Sequence, residues 1–226
     1  MAGLILMSVI SAQSLDEIVR KYTAANKLDQ VANMKTIKIT ANLSVAGMEM
    51  PMIMWMKNPN KFKSVTSFNG QDIISVFDGE KGYSVNPMSG STDPVEMNPD
   101  QVQQTLRGSL FQNAVAKYFK DGQLTLAGEE NVNDKPAYKI KATAEGGTII
   151  SMYIDKSSFL IVKTSITTSQ SGMTMDMDMY PSDYTETNGL LIPMKTTTSA
   201  QGMEMQINFT KVEVDVPIAD SLFTIK

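Results

Sequence analysis

The sequence predicts a mainly β protein with helices (α+β), built as one large curved antiparallel sheet. Three observations predict it. Apolar residues recur at every second position in many short segments from Thr36 to Val214, the period of a half-buried strand. Short turn signals such as Asn69-Gly70, Asp78-Gly79 and Gly146-Gly147 separate these segments. Short turns imply antiparallel pairing, because parallel pairs need long crossovers. Helical spacing is confined to one stretch before the first strand and one in mid-chain.

Taken in order, Leu4 to Ile10 form a short apolar run followed by Ser11-Ala12. That is the shape of a secretory h-region with its cleavage site. It is too short to span a bilayer, which takes about 20 apolar residues. Residues 1–12 therefore read as a signal-peptide remnant whose basic n-region is missing. A buried N-terminal strand or helix is the alternative. Residues 13–226 are expected to be one domain, exported to the periplasm and soluble. No Cys follows the apolar run, which excludes a lipobox anchor. Ser14-Leu-Asp-Glu17 has capping-box spacing, and Leu15, Ile18, Val19 and Tyr22 recur at helical spacing, so a helix is predicted over Leu15–Ala25. A short turn follows at Leu28 to Met34.

The period changes to 2 at Thr36, with Ile37, Ile39, Ala41, Leu43 and Val45 alternating with polar residues. After Gly47 a methionine-rich strand begins. Strands are then predicted at Lys61–Phe68, Asp72–Phe77 and Tyr83–Val85. Asn86 to Pro99 holds three prolines and Gly90, and reads as a loop. Asn98 before Pro99 is an N-cap signal. Val102, Leu106, Leu110, Phe111, Val115 and Phe119 then give a helical stripe to Lys120, interrupted near Gly108. Strands resume at Gln123–Ala127, Ala137–Thr143, Thr148–Ile154, Leu160–Thr168, Met173–Tyr180, Ile192–Thr198 and Met203–Val214.

Composition excludes much chemistry. The 226 residues contain no Cys and no His. Disulfide scaffolds, thiol nucleophiles, Ser-His-Asp triads and His-ligated zinc are therefore ruled out. The net charge is -4, and the only arginines are Arg20 and Arg107. A weakly acidic, arginine-poor chain is a poor nucleic-acid binder, so none is expected. The carboxylate pairs Glu129-Glu130 and Asp176/Asp178 lack a nucleophile or metal partner. Glycines fall singly or in pairs at turns and make no phosphate loop. The sequence therefore predicts a non-enzyme with neither cofactor nor metal.

The information lies in 18 methionines. Three segments share one pattern: Gly47 to Met56, Gly172 to Tyr180 and Gly202 to Phe209. Side chains alternate faces along a strand, so Met50, Met52, Met54 and Met56 share one face. Likewise Met173, Met175, Met177 and Met179 lie opposite Thr174, Asp176 and Asp178. Met203, Met205, Ile207 and Phe209 lie opposite Glu204, Gln206 and Asn208. The charged faces point to solvent and the methionine faces inward. Sheet cores ordinarily use stiff, β-branched Val and Ile. Met is unbranched and flexible, and suits surfaces that adapt to varied apolar partners. A cavity for flexible acyl chains fits that need, and these twelve residues are its candidate lining. Two readings stay open beside it. One is a packed, Met-rich core without ligand. The other is a thioether site for Cu(I) or Ag(I), although same-face neighbours on a strand stand roughly 6.6 Å apart. Pro51 suggests an edge strand or a bulge. Trp55 and Ile53 put apolar residues on the second face, which a packed helix or a bulge would explain.

The chain resembles the LolA/LolB-like outer-membrane lipoprotein-sorting (lipoprotein carrier) family, in the form common among Bacteroidetes-type bacteria. The resemblance rests on Leu15-Asp-Glu-Ile-Val-Arg-Lys-Tyr22, Met34-Lys-Thr-Ile-Lys-Ile39, Lys57-Asn-Pro-Asn-Lys61 and Phe77-Asp-Gly-Glu-Lys-Gly-Tyr83. It continues through Asn86-Pro-Met-Ser-Gly90, Ala137-Tyr-Lys-Ile-Lys141, Tyr153-Ile-Asp-Lys156, Leu160-Ile-Val-Lys163, Asp183-Tyr184 and Gly189-Leu-Leu-Ile-Pro193. It implies an unclosed antiparallel half-barrel with an apolar cavity under lid helices, the lid carrying Val102, Leu106, Leu110 and Phe111. It further implies a monomeric periplasmic carrier of lipoprotein acyl chains or lipid. An inner-membrane release complex and an outer-membrane acceptor would be its partners. The family's cavity arginine has no match, since Arg20 and Arg107 both fall on predicted helices. A module that senses envelope lipids without delivering them is the main rival.

Overall fold

The computed structural model describes residues 13–106, 109–111, 113–144, 147–170 and 173–225. The signal-peptide reading of residues 1–12, the Ser171-Gly172 turn, Arg107, Gly108 and Gly146 lie outside them. Among the described residues the α-helices are α1 (Leu15–Ala25), α2 (Leu28–Val31), α3 (Pro99–Leu106) and α4 (Ala114–Lys120). The first strands are β1 (Thr36–Val45), β2 (Met48–Lys57), β3 (Lys61–Phe68), β4 (Gln71–Phe77), β5 (Gly82–Asn86) and β6 (Ser91–Glu96). They continue as β7 (Leu124–Val132), β8 (Lys135–Thr143), β9 (Ile149–Asp155) and β10 (Ile161–Gln170). The last three are β11 (Met173–Thr187), β12 (Leu190–Ala200) and β13 (Met203–Val214).

All thirteen strands form one sheet, ordered β6-β5-β4-β3-β2-β1-β13-β12-β11-β10-β9-β8-β7. Every ladder is antiparallel, as the short turns predicted. β6 and β7 end the sheet without pairing, so the barrel is unclosed. α1 occupies the predicted residues. The Ser14 hydroxyl caps it by accepting from the Glu17 N–H at 3.2 Å, and Glu17 pairs with Lys21 at 2.9 Å.

The helices lie on one face and divide its core in two. α1 and α4 bury Ile18, Val19, Tyr22 and Val115 against Tyr138, Ile140, Ile150, Met152 and Ile154 on β8 and β9. Val31 and Met34, at and just beyond the end of α2, join Leu106 of α3 over Ile37, Ile39, Met54, Met56, Phe62, Phe77 and Leu190. Each fully buried large apolar side chain adds about 1.5–3 kcal/mol of transfer free energy.

Three sequence expectations need correction. The Asn86–Pro99 loop contains a 3₁₀ turn, Pro87–Ser89, and a strand, β6. Pro94 is tolerated there because β6 is an edge strand, where a missing N–H costs no ladder bond. The mid-chain helix is also two helices. α3 is capped reciprocally: the Gln101 N–H donates to Asn98 Oδ1 and the Asn98 N–H to Gln101 Oε1, both at 2.9 Å. Asn113 then starts α4 by accepting from the Ala116 N–H at 3.2 Å.

Pro51 does not mark an edge strand, since β2 lies between β1 and β3, and the β1–β2 ladder carries no bulge. The β2–β3 ladder stops at Met52, so the proline nitrogen meets no partner strand. Pro136, Pro181 and Pro193 obey the same rule, each sitting beyond the last ladder pair with one neighbour. On the outer face of β2, the C-terminal 3₁₀ turn Asp220–Phe223 packs near β3. Lys57 and Lys61 hold Asp220 at 2.8 and 3.3 Å, and Phe223 is fully buried. This turn is tied to the outer face of the sheet through Lys57 of β2 and Lys61 of β3.

Asp155 closes the β9–β10 turn. Its Oδ1 accepts from the N–H and hydroxyl of Ser157 at 3.1 and 2.6 Å, and from those of Ser158 at 2.7 and 2.8 Å. Burial pushes this carboxyl up, but the four donors outweigh burial and hold it below the usual carboxylate range. A depressed carboxylate contributes fully above its unfolded pKa and loses that contribution as pH falls through its folded value. Asp155→Ala is expected to cost about 1 kcal/mol at neutral pH, since it removes the charged acceptor while the donors, on the exposed Ser157 and Ser158, can turn to water. The deficit should shrink below the carboxylate range, read by denaturant melts across pH.

Candidate functional site

The three methionine strands face the same side. Directly opposed residues of a ladder project to one face. Val45 of β1 is opposed by Met48 on β2 and by Met205 on β13. Met205 is in turn opposed by Thr198 on β12, and Thr198 by Met179 on β11. Met203 faces Ala200, which faces Met177; Met175 faces Thr168 on β10. A register shift after Thr40/Ala41 makes this possible on β13. It places Thr210 in a bulge, where its hydroxyl donates to the Thr40 carbonyl at 3.1 Å. Val212 and Val214 below the bulge and Phe209, Ile207, Met205 and Met203 above it then share one face.

The result is a corrugated surface. β2, β13 and β11 carry methionine ridges. Between them, β1 offers Val45, Leu43 and Ala41, and β12 offers Ala200, Thr198 and Thr196. In no described ladder pair does a methionine oppose a methionine. Ridges on strands two apart are separated by roughly 10 Å of sheet. That spacing works against a shared thioether metal site and leaves furrows floored by small side chains.

Cover falls off along each ridge. Met56 is 0% exposed, Met54 5% and Met50 8%, whereas Met48 is 46% exposed. Phe209 and Ile207 are half-buried, Met205 is 37% and Met203 64% exposed. Met179 and Met177 are half-buried and Met175 is 44% exposed. Met52 is half-buried, and Met173 lies on β11 with its side chain outside the described part. Each ridge therefore runs from a helix-covered end to an open end at the turns Ala46-Gly47 and Gln201-Gly202. Met48 was not among the candidates, although the same alternation marks it. The furrow residues Thr196, Thr198 and Ala200 were missed because sequence does not reveal which strands are neighbours.

The four residues expected on a lid pack at the covered end. Leu106 is buried, while Val102, Leu110 and Phe111 are half-buried against the same cluster. The Leu110 N–H points at Met56 Sδ, 3.3 Å away. Beneath α3, a Cβ on Gly82 would lie 2.8 Å from Val102 Cγ2 and 3.1 Å from Met97 Sδ. This glycine exists to let α3 approach the sheet.

The motif residues prove architectural. Asn58 donates to the Ala32 and Met34 carbonyls at 3.3 and 3.0 Å, pinning the end of α2 to β2. Asp78 accepts from the Glu80 and Lys81 N–H groups, both at 2.8 Å, and the Lys81 bond leads in holding it below the usual range. The Tyr184 hydroxyl donates to the Ile161 carbonyl at 2.9 Å, and burial raises its pKa. Burial likewise pushes Tyr22 up to about 12. The carboxylate pairs are engaged: Glu129 with Lys156, on the face it shares with Tyr138, and Glu130 with Lys139 on the opposite face, both at 2.7 Å. Asp176 accepts from Thr167 and Asp178 from Ser165, both at 2.6 Å. Burial opposes the charge on Asp178, but Ser165 and Lys163 keep it ionised below its ordinary range. Among the described residues no group of three or more His, Cys, Asp or Glu is placed to hold a metal. Two shallow depressions of ≈ 550 and ≈ 440 Å³ flank the open rim, at Glu49 and Ser67 and at Ser44 and Gln206.

A family model described as "Uncharacterized protein" matches residues 88–226, more than half of the chain, and the chain belongs to that family. No curated protein matches it significantly. Solved structures do. A LolA superfamily protein from Nitrosomonas europaea is 12% identical with a TM-score of 0.63, over 95% of this chain and 99% of that one. A DUF1329 family protein from Desulfovibrio piger is 15% identical with a TM-score of 0.62, over 92% and 97%. A putative outer membrane lipoprotein-sorting protein domain from Vibrio parahaemolyticus is 10% identical with a TM-score of 0.61, over 93% and 97%. The chain thus has the fold of the LolA superfamily and of outer-membrane lipoprotein-sorting proteins.

Gly82→Val is expected to lift α3 from the sheet, because neither Met97 nor Val102 has room for the added methyls. Overpacking of this kind costs about 1–3 kcal/mol. Hydrogen exchange should show faster exchange confined mainly to α3 and its flanking turns.

Proposed function

We propose that this protein binds the acyl chains of lipoproteins or lipids on the methionine ridges of its unclosed barrel and carries them through the periplasm, without catalysis. The observation that supports it most is the uncovered end of three parallel-running thioether ridges on the inner face. An ordinary core would be covered there, and an ordinary surface would be polar. Burial is worth about 0.8 kcal/mol per CH₂, so a long chain is held without any polar anchor. The fold shared with a lipoprotein-sorting domain points the same way. Release needs a movable cover, and α3 with the turn at Leu110 and Phe111 is that cover. In this reading residues 13–226 act as one monomeric unit, loaded at the inner membrane and unloaded at an outer-membrane acceptor.

The test is mass spectrometry of organic extracts from protein purified from a bacterial periplasm without detergent. Stoichiometric lipid or lipoprotein acyl chains are expected from the wild type. The double variant Met175→Asp with Met205→Asp should lose most of them while keeping its melting temperature, since both side chains are partly exposed. A clean wild-type extract that also fails to take up added fatty acid would sink the proposal.

A further inference from the structure

Two groups stand near the extremes of exposure among the described methionines. Met48, Met175, Met203 and Met205 are 46, 44, 64 and 37% exposed and cluster at the open ends of three ridges. Met34, Met50, Met54, Met56, Met97 and Met152 are all at or below 9%. Leu or Ile at the four rim positions would present as much hydrocarbon and be chemically inert. A thioether adds reactivity to its flexibility: two-electron oxidants reach it and convert it to a polar sulfoxide.

We propose that the rim methionines form a site of reversible thioether oxidation that switches the open end of the ridges from apolar to polar. The oxidant class is a peroxide. One peroxide oxygen is transferred to sulfur, which loses two electrons as the S–O bond forms. The O–O bond breaks, and the second oxygen leaves as water. The sulfoxide carries a strong acceptor oxygen in place of an apolar ridge crest. Four such groups around furrows floored by Val45, Thr198 and Ala200 turn a hydrocarbon-lined surface into a hydrated one. An acyl chain held there is released, a consequence that rests on the acyl-binding reading above. Methionine sulfoxide reductases restore the thioethers, one enzyme for each sulfoxide epimer. The buried methionines under α2 and α3 keep the fold intact through the cycle.

The experiment treats the intact protein with graded hydrogen peroxide. Peptide mass spectrometry maps the added oxygen, and uptake of cis-parinaric acid, a fluorescent acyl chain, is measured on the same samples. The four rim residues are expected to oxidise at least roughly tenfold faster than Met50, Met54 and Met56, with melting temperature unchanged. Uptake should fall in step and return after treatment with both reductases. Met88 is 64% exposed on the β5–β6 hairpin, three strands from β2. Met88→Leu should leave uptake and its peroxide sensitivity as in the wild type. In a variant with all four rim methionines changed to Leu, uptake from whatever starting level should no longer fall on oxidation.

Oxidation of Met54 and Met56 at the rim rate would overturn the site. Selective rim oxidation with uptake undiminished would overturn the switch, as would a four-Leu variant still inactivated by peroxide. Failure of the unoxidised protein to take up the probe would overturn the acyl-binding reading and the switch with it. The oxidation map stands or falls independently of that outcome.

Discussion

One pairing joins the molecule. Every other ladder in the sheet links strands adjacent in sequence: β1 through β6 run as one meander, and β7 through β13 as another. The pairing of β1 with β13 closes them into one sheet, matching Ile37 to Val214 across most of the chain. Its lower end is fastened by side chains. Asp215 accepts from the Lys35 N–H at 2.7 Å, and the Thr36 hydroxyl donates to the Val216 carbonyl at 2.6 Å. Without this ladder the hairpins are locally complete but the inner face does not exist as a surface. Such a long loop closure is entropically slow, so the two meanders are expected to form before they join.

The same ladder creates the candidate site. β1 holds Met48 and Met205 on either side of Val45. The bulge at Thr210 corrects the phase of β13, so that valines at one end and methionines at the other face the same way. A bulge adds twist and re-aims side chains without ending the strand. Shifting that register by one residue would turn Glu204 and Gln206 inward and Met203 and Met205 outward.

Much of this was legible. The Ser14 cap and the spacing of Ile18, Val19 and Tyr22 specify α1 locally. Asn69-Gly70 specifies its hairpin, with Asn69 at φ 49° and Gly70 at 76° as a type I′ turn needs. Alternation assigned the faces of all three methionine strands. What stayed hidden depends on distant partners. Pro94 argues for a loop until one knows that β6 is an edge. Pro51 argues for an edge until one knows that the β3 ladder ends at Met52. The stripe from Val102 to Phe119 reads as one helix, but Leu110 and Phe111 are spent on packing near Met56, which requires the chain to turn. Exposure along a ridge is invisible in sequence because it depends on where the helices stop.

Why the uncovered end is methionine and not valine follows from what each does when nothing lies on it. A β-branched side chain holds one rotamer and offers a fixed relief, which fits one partner well and others poorly. A thioether side chain has three rotatable bonds and can collapse over its neighbours when the furrow is empty or rise around an occupant. The ridges stand on strands two apart, so each crest has a furrow of Val, Ala or Thr to fold into. An apolar face is then kept partly self-covered in water, limiting the exposed patch that would drive aggregation. Glu49 and Glu204 stand on the opposite face of two of those ridges and keep the rim hydrated from behind. The arrangement stores adaptable hydrocarbon at the one end of the half-barrel that its short helices do not reach.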